Sequence, residues 1–172
     1  IKDACEHVCG LVNKRNGKKI TYKDVFEVLK KRSGDFDHML TLNPEAKKLL
    51  QKLKKKGYKL GMATDRGASS LRLLKVFGID EYFDVVVHAF MVENRKPHPE
   101  PILELVKKMG IKAENCVYVG NEEKDHMSAI AAGVIPIILE KDYSIFSHVP
   151  TYYVENLKKV ADIIDRINKK NH

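Results

Sequence analysis

Asn121, Glu122, Glu123, Lys124 and Asp125 follow the apolar run CVYVG directly, and four of these five polar residues are charged. Two other apolar runs end in the same abrupt way. YKLGMAT closes on Thr64 and passes into Asp65, Arg66 and Gly67. VVVHAF leads through Met91 to Lys96, then Pro97, His98 and Pro99. Gathered at one place, these residues supply a hydroxyl (Thr64), a lysine (Lys96) and the side-chain oxygens of Asn121, Glu122 and Asp125. A hydroxyl and a lysine suit the oxygens of a phosphate, and side-chain oxygens suit Mg²⁺. The bland reading of Asp65 and Arg66 is that they are turn residues, and His98 between two prolines reads as a spacer.

The elements around these runs decide whether such a gathering can occur. Asn43 with Pro44 reads as a helix start, and Gly57 as its stop. Short apolar strands are expected at 58–64, 85–90, 116–120 and 135–139. Helices with apolar stripes alternate with them: one through Leu71, Leu74 and Phe77, one over 99–109, one around 126–132 and one over 157–168. Continuous apolar strands separated by amphipathic helices predict a parallel sheet covered on both faces, an α/β fold. In such a sheet ligands bind beyond the carboxyl ends of the strands, where all three polar loops begin. Residues 1–42 do not follow that rhythm. Ile1, Ala4, Cys5, Val8 and Val12 lie at helical spacing, Asn16-Gly17 turns the chain, and Thr21 with Asp24 starts a second helix with Tyr22, Val25, Phe26 and Leu29 on one face. The expected division is a helical module at 1–42 and an α/β core at 43–172.

Composition sets outer limits. A chain of 172 residues is the size of one ordinary domain and can bury roughly 70% of its extended surface. No apolar run is long enough to span a membrane, and no secretory leader is visible, so no membrane partner is expected. Three cysteines argue against a disulfide framework and for the reducing cytoplasm. Cys5 and Cys9 read as small core residues, and His7 between them as solvated. The formal net charge of +8 reads as a lysine-rich surface. The densest basic run, KKLLQKLKKKGYK, is an amphipathic helix with no interleaved aromatics, so nucleic acid is a disfavoured partner.

Three stretches, in order, resemble the haloacid dehalogenase (HAD) superfamily. MATDRG resembles its second motif, RKPHPEPI its third, and VYVGNEEKDHMSAIAAG its fourth. GYKLGMATDRG, FGIDEYFDVVV and the last motif read together in the style of phosphoglycolate-phosphatase-like members. The resemblance covers about residues 44–155. It implies a Rossmann-like core with a small helical cap, and a Mg²⁺-dependent phosphatase acting on a small phosphorylated substrate. Thr64 would hydrogen-bond the phosphoryl oxygens, and Lys96 would pair with the phosphate and the nucleophile. Asp65 and Arg66 would lie beside the substrate. Asn121, Glu122 and Asp125 would bind or orient the metal, while Ala129, Ala132 and Gly133 would let a helix pack close to the sheet.

Two departures qualify these expectations. Position 121 is Asn where the superfamily usually has Asp. A unit charge pair at about 4 Å is worth ~1 kcal/mol in water and ~4 at an effective dielectric near 20, so a neutral amide weakens the hold on Mg²⁺ unless Glu122 or Asp125 compensates. The first motif, DxDGT, is also missing. It carries the aspartate that attacks phosphorus and a second acid that protonates the leaving group. Asp35-Phe36-Asp37 has no apolar strand before it, and neither does Asp3. IKDACEHVCGLVNKRNGKKITYKDVFEVLKK resembles the cap inserted just after that motif. The expectation is therefore a central strand upstream of residue 1, between the strands ending at Thr64 and Gly120. The alternative is a catalytically inactive domain of the same fold that binds a phosphorylated ligand or a protein partner.

Overall fold

Thr21 and Asp24 close a capping box at the start of the first described helix, α1 (Tyr22–Lys31). The Thr21 hydroxyl donates to Asp24 Oδ2 at 2.6 Å, and the Asp24 N–H donates back to Thr21 Oγ at 3.4 Å. The structure is a computed structural model and describes residues 13–14, 17, 19–32, 34–35, 37–139 and 152–170. The helix expected over 1–13, with Asp3, Cys5, His7 and Cys9, lies outside the described residues apart from Asn13, as do Asn16, Ser33 and Phe36. On α1, Tyr22, Val25 and Phe26 are half-buried, but Leu29 is exposed.

Several elements begin later or end earlier than the sequence pattern suggests, each because a side chain or turn takes over the backbone groups. Asn43 bonds the Glu45 N–H with its own side chain at 2.9 Å. A turn results, and α2 (Ala46–Lys55) starts past it. The first strand is β1 (Gly61–Thr64) rather than 58–64, since Tyr58 N–H caps α2 at Leu53 O and Leu60 N–H bonds Asp84 Oδ2. α3 (Ser69–Val76) follows, then β2 (Val85–His88). A 3-10 turn at Ala89–Met91 replaces the expected end of β2, and Ala89 N–H bonds Arg66 O at 3.0 Å. The remaining elements are α4 (Glu100–Met109), β3 (Val117–Gly120), α5 (Glu123–Ala131), β4 (Ile135–Leu139), β5 (Tyr152–Val154) and α6 (Val160–Lys170). Among the described residues no helix is long and apolar enough to cross a membrane.

Among the described residues every strand pairing is parallel. β1 pairs with β2 from Gly61↔Val85 to Thr64↔His88. β3 pairs with β4 from Val117↔Ile135 to Gly120↔Ile138, and β4 with β5. Helices cover both faces. Leu53 of α2 and Val160, Ala161, Ile164 and Ile167 of α6 pack against Ile137 and Val154. On the other face, Ile102 and Leu105 of α4 and Ala129 of α5 join Ala63 of β1 and Val87 of β2. Each fully buried Val, Leu or Ile side chain here contributes about 1.5–3 kcal/mol, an upper figure because unfolded chains already bury some apolar area. Gly61 lets α4 close on β1: a Cβ there would lie 2.7 Å from Met109 Sδ and 2.9 Å from Leu105 Cδ1.

The described strands form two sheets, β1-β2 and β3-β4-β5, with no pairing between β1 and β3. A cavity of about 420 Å³ lies there, walled by Met62 and Ala63 on one side and by Val117, Tyr118 and Val119 on the other. The Tyr118 hydroxyl reaches across and donates to Ala63 O at 3.2 Å. The break falls where the resemblance implies a central strand.

Candidate functional site

The C-terminal ends of β1 and β3 bring the polar loops together. Lys96 arrives on the loop after β2, whose course is fixed by the Glu100 carboxylate. That carboxylate accepts the Glu93 and Asn94 N–H groups at 2.8 and 2.9 Å. The Lys96–Pro97 peptide is cis. Lys96 Nζ lies 2.6 Å from Asp125 Oδ1 and 3.1 Å from Tyr118 OH. The Lys96 side chain is 8% exposed and that of Asp125 6%.

Asp125 is placed by the first turn of α5. Its Oδ2 accepts the N–H groups of Asn121 and Glu122, each at 3.1 Å, and the Glu122 side chain returns a bond to complete a capping box. This explains why α5 starts at Glu123 rather than near residue 126. Gly120 makes the approach possible, because a Cβ there would collide with Asp125 Cβ and Cγ. Burial alone would push the Asp125 carboxyl up, but Lys96 and the two backbone N–H groups outweigh it and hold the group below its ordinary value. Burial would likewise lower the Lys96 ammonium, yet Tyr118 and Asp125 hold it above its usual range. Tyr118 was not singled out by sequence reasoning. A tyrosine in an otherwise aliphatic strand whose hydroxyl must find a partner was the available signal.

Thr64 is half-buried at the end of β1, and its Oγ accepts the Arg66 N–H at 3.2 Å. Arg66 turns its guanidinium to Asp37, which also receives Arg72; both bonds are 2.8 Å. Asp37 is 8% exposed and sits in the 3-10 turn Asp37–Met39, so this clasp ties the segment after α1 to the core. Asp65 and Glu122 meet through Lys124, whose Nζ lies 3.2 Å from Asp65 Oδ2 and 3.0 Å from Glu122 Oε2. Asn121 is exposed. His98 Nδ1 accepts the Glu100 N–H at 3.2 Å, and its carbonyl accepts Ser128 Oγ at 2.9 Å.

A cleft of about 930 Å³ opens between α1 and the loop after β2, lined by Tyr22, Phe26, Phe90, Arg95, His98 and Met127 among others. Phe26 meets Phe90 edge to face with centroids 5.2 Å apart. Arg95, Pro97 and His98 line this cleft, while Lys96 between them turns to Asp125.

The described residues do not by themselves fit a divalent cation. No three His, Cys, Asp or Glu side chains among them come together to hold one. A carboxylate offers about four acceptor positions. Those of Asp125 are taken by Lys96 and two backbone N–H groups, while the Tyr118 hydroxyl, whose proton goes to Ala63 O, lies 3.4 Å from Oδ1. Asp65 and Glu122 both face Lys124.

Comparison with known proteins agrees with this architecture. The sequence pattern of the Haloacid dehalogenase-like hydrolase family matches residues 4–138. A pyrophosphatase PpaX from Bacillus mycoides is 32% identical over 124 residues, covering 69% of this chain and 58% of that protein. A pyrophosphatase PpaX from Bacillus pumilus is 32% identical over 120 residues, covering 67% and 54%. The chain thus spans just over half the length of these relatives. The crystal structure of a HAD-superfamily hydrolase, subfamily IA, variant 1, from Geobacter sulfurreducens superposes with a TM-score of 0.63 at 29% identity, covering 84% of this chain and 66% of that one. With its three loop motifs at the ends of parallel strands and a family match over most of its length, the chain belongs to the haloacid dehalogenase-like hydrolases.

Proposed function

We propose that this chain supplies the core and cap of a phosphatase that hydrolyses a small phosphate monoester or phosphoanhydride. The observation that carries the reading is the buried Lys96–Asp125 pair, which Tyr118 links to Ala63 O, one residue before Thr64, across the gap between β1 and β3. An ammonium has three N–H donors. Asp125 and Tyr118 take two, and the third is left for an incoming anion. Asp125 acts here as the group that orients Lys96 and the loop after β3.

The nucleophile would be an aspartate at the end of a strand seated in that gap. Its carboxylate attacks phosphorus, and the P–O bond to the leaving group breaks. A second acid on the same strand gives its proton to the departing oxygen. That acid, now a carboxylate, then takes a proton from water, which attacks the aspartyl-phosphate and releases inorganic phosphate, restoring the nucleophile's carboxylate and the protonated acid. Thr64 would donate to the phosphoryl oxygens, and Lys96 would offset their charge. Asp65 and Arg66 would flank the substrate. The cleft under α1 would exclude water and choose the leaving group. Mg²⁺ is the cation the family resemblance implies. It would need carboxylates beyond the described residues to complete a set around the Asn121 amide oxygen. The proposed setting is the cytoplasm.

The test is phosphate release from an aryl phosphate and from pyrophosphate by the full-length protein. Lys96→Met should lower turnover about 10²–10³-fold, the range for losing one preorganised charge partner of the transition state. The neutral Asn121 favours a second reading, a non-catalytic domain that binds a phosphorylated ligand. Binding of inorganic phosphate without hydrolysis of either compound would select it.

A further inference from the structure

Lys124 has no role in the proposed reaction, yet it stands at its edge. Its ammonium joins the turn after β1 to the loop after β3 through Asp65 and Glu122. The side chain is 36% exposed, and these two carboxylates hold its ammonium there. Two neighbouring features move the local charge in the same direction. Position 121 is a neutral amide, and Asp125 is matched by Lys96. Asp65, Glu122 and Asp125 therefore each face an ammonium group. A divalent ion entering this loop would meet an amide oxygen, carboxylates that already have cationic partners, and an ammonium of like charge.

We propose that Lys124 is a built-in counter-cation, which takes over part of the charge compensation that a divalent ion supplies and weakens the grip of the loop on that ion. A lysine can do this because it delivers a compact charge on a flexible stem and asks for no fixed coordination geometry. Like-charge repulsion at this range falls off with screening by salt but persists beside half-buried groups. Replacing Lys124 by Met keeps the stem and leaves Asp65 and Glu122 without their shared cation. The proposal rests on the phosphatase reading only for its activity arm.

The experiment is a Mn²⁺ titration of the full-length protein and of Lys124→Met, in the presence of inorganic phosphate, with free Mn²⁺ followed by electron paramagnetic resonance. Lys124→Met should bind Mn²⁺ about tenfold more tightly, and Lys124→Arg should match the parent. In the activity arm, the Mg²⁺ concentration for half-maximal phosphate release should fall by a similar factor in Lys124→Met. Equal or weaker Mn²⁺ binding by Lys124→Met, with an unchanged melting temperature, would overturn the proposal. So would the absence of Mn²⁺ binding by both proteins. Tighter Mn²⁺ binding by Lys124→Met with no phosphate release by any variant would overturn the phosphatase reading and leave the role of Lys124 standing. If Lys124→Met unfolds, Lys124→Gln carries the same test.

Discussion

At the scale of single residues, Asp125 holds the site together, and its environment predicts a pH dependence. Burial opposes its charge, but Lys96 and the Asn121 and Glu122 N–H groups keep its carboxyl below the ordinary value. A carboxyl whose folded pKa is depressed contributes stability that is present above its unfolded value, near pH ~4, and lost as pH falls through the folded one. The melting temperature of the parent should therefore drop more steeply below about pH 4 than that of Asp125→Asn. The variant should already be less stable at pH 7, because Lys96 is left buried opposite an uncharged group. Two thermal denaturation series that converge in acid are the expected outcome; parallel series would refute it. Tyr118→Phe is a milder probe. It removes a hydroxyl that bonds both Lys96 and Ala63 O, and a loss of about 1–2 kcal/mol in denaturant unfolding is expected.

At the scale of elements, the sequence told most where backbone and side-chain signals agreed. IPIIL, apolar and bounded by turn signals, is β4 from Ile135 to Leu139. The Thr21–Asp24 capping box is where the spacing put it. Boundaries shifted where a side chain captured backbone groups, as Asn43 does before α2 and Asp84 does before β1. β5 was missed because three residues, Tyr152–Val154, carry no period to read. The clasp at Asp37 was illegible for a different reason: its partners Arg66 and Arg72 lie 29 and 35 residues away, and no local pattern marks a buried carboxylate. The clasp joins the segment after α1 to the turn after β1 and to α3. Asp37→Asn should loosen that join at a cost of about 1–3 kcal/mol, since both arginines are partly solvated and recover some hydration. Amide exchange should rise across residues 22–31 and stay unchanged in α4 and α5. A uniform rise over all helices would mean that Asp37 serves global stability rather than the position of α1.

At the scale of the whole molecule, three lysines in and just after the basic helix α2 tie it to other elements. Lys52 and Lys54 reach Asp162 and Asp84 at 3.2 and 2.8 Å, and Lys56 pairs with Asp165, so the helix is stitched to α6 and to the start of β2. Each exposed pair is worth only about 0–1 kcal/mol. The larger question is the break between β1 and β3. Two parallel strands facing each other without pairing leave a row of N–H and C=O groups to be satisfied, and buried backbone groups are almost always paired. Tyr118 bonds one of those carbonyls, that of Ala63. A single apolar strand in the cavity would satisfy both edges and carry an acid to the Lys96 ammonium. Hydrogen exchange on the full-length protein decides whether one sits there. With a strand in place, the amides of Gly61–Thr64 and Val117–Gly120 that face the gap should exchange as slowly as those of β4, which open only with the whole domain. Without one, they should exchange faster by about 10³-fold or more, through local opening alone. In that case no aspartate is held beside Lys96, the aspartyl-phosphate route fails, and the binding reading takes its place.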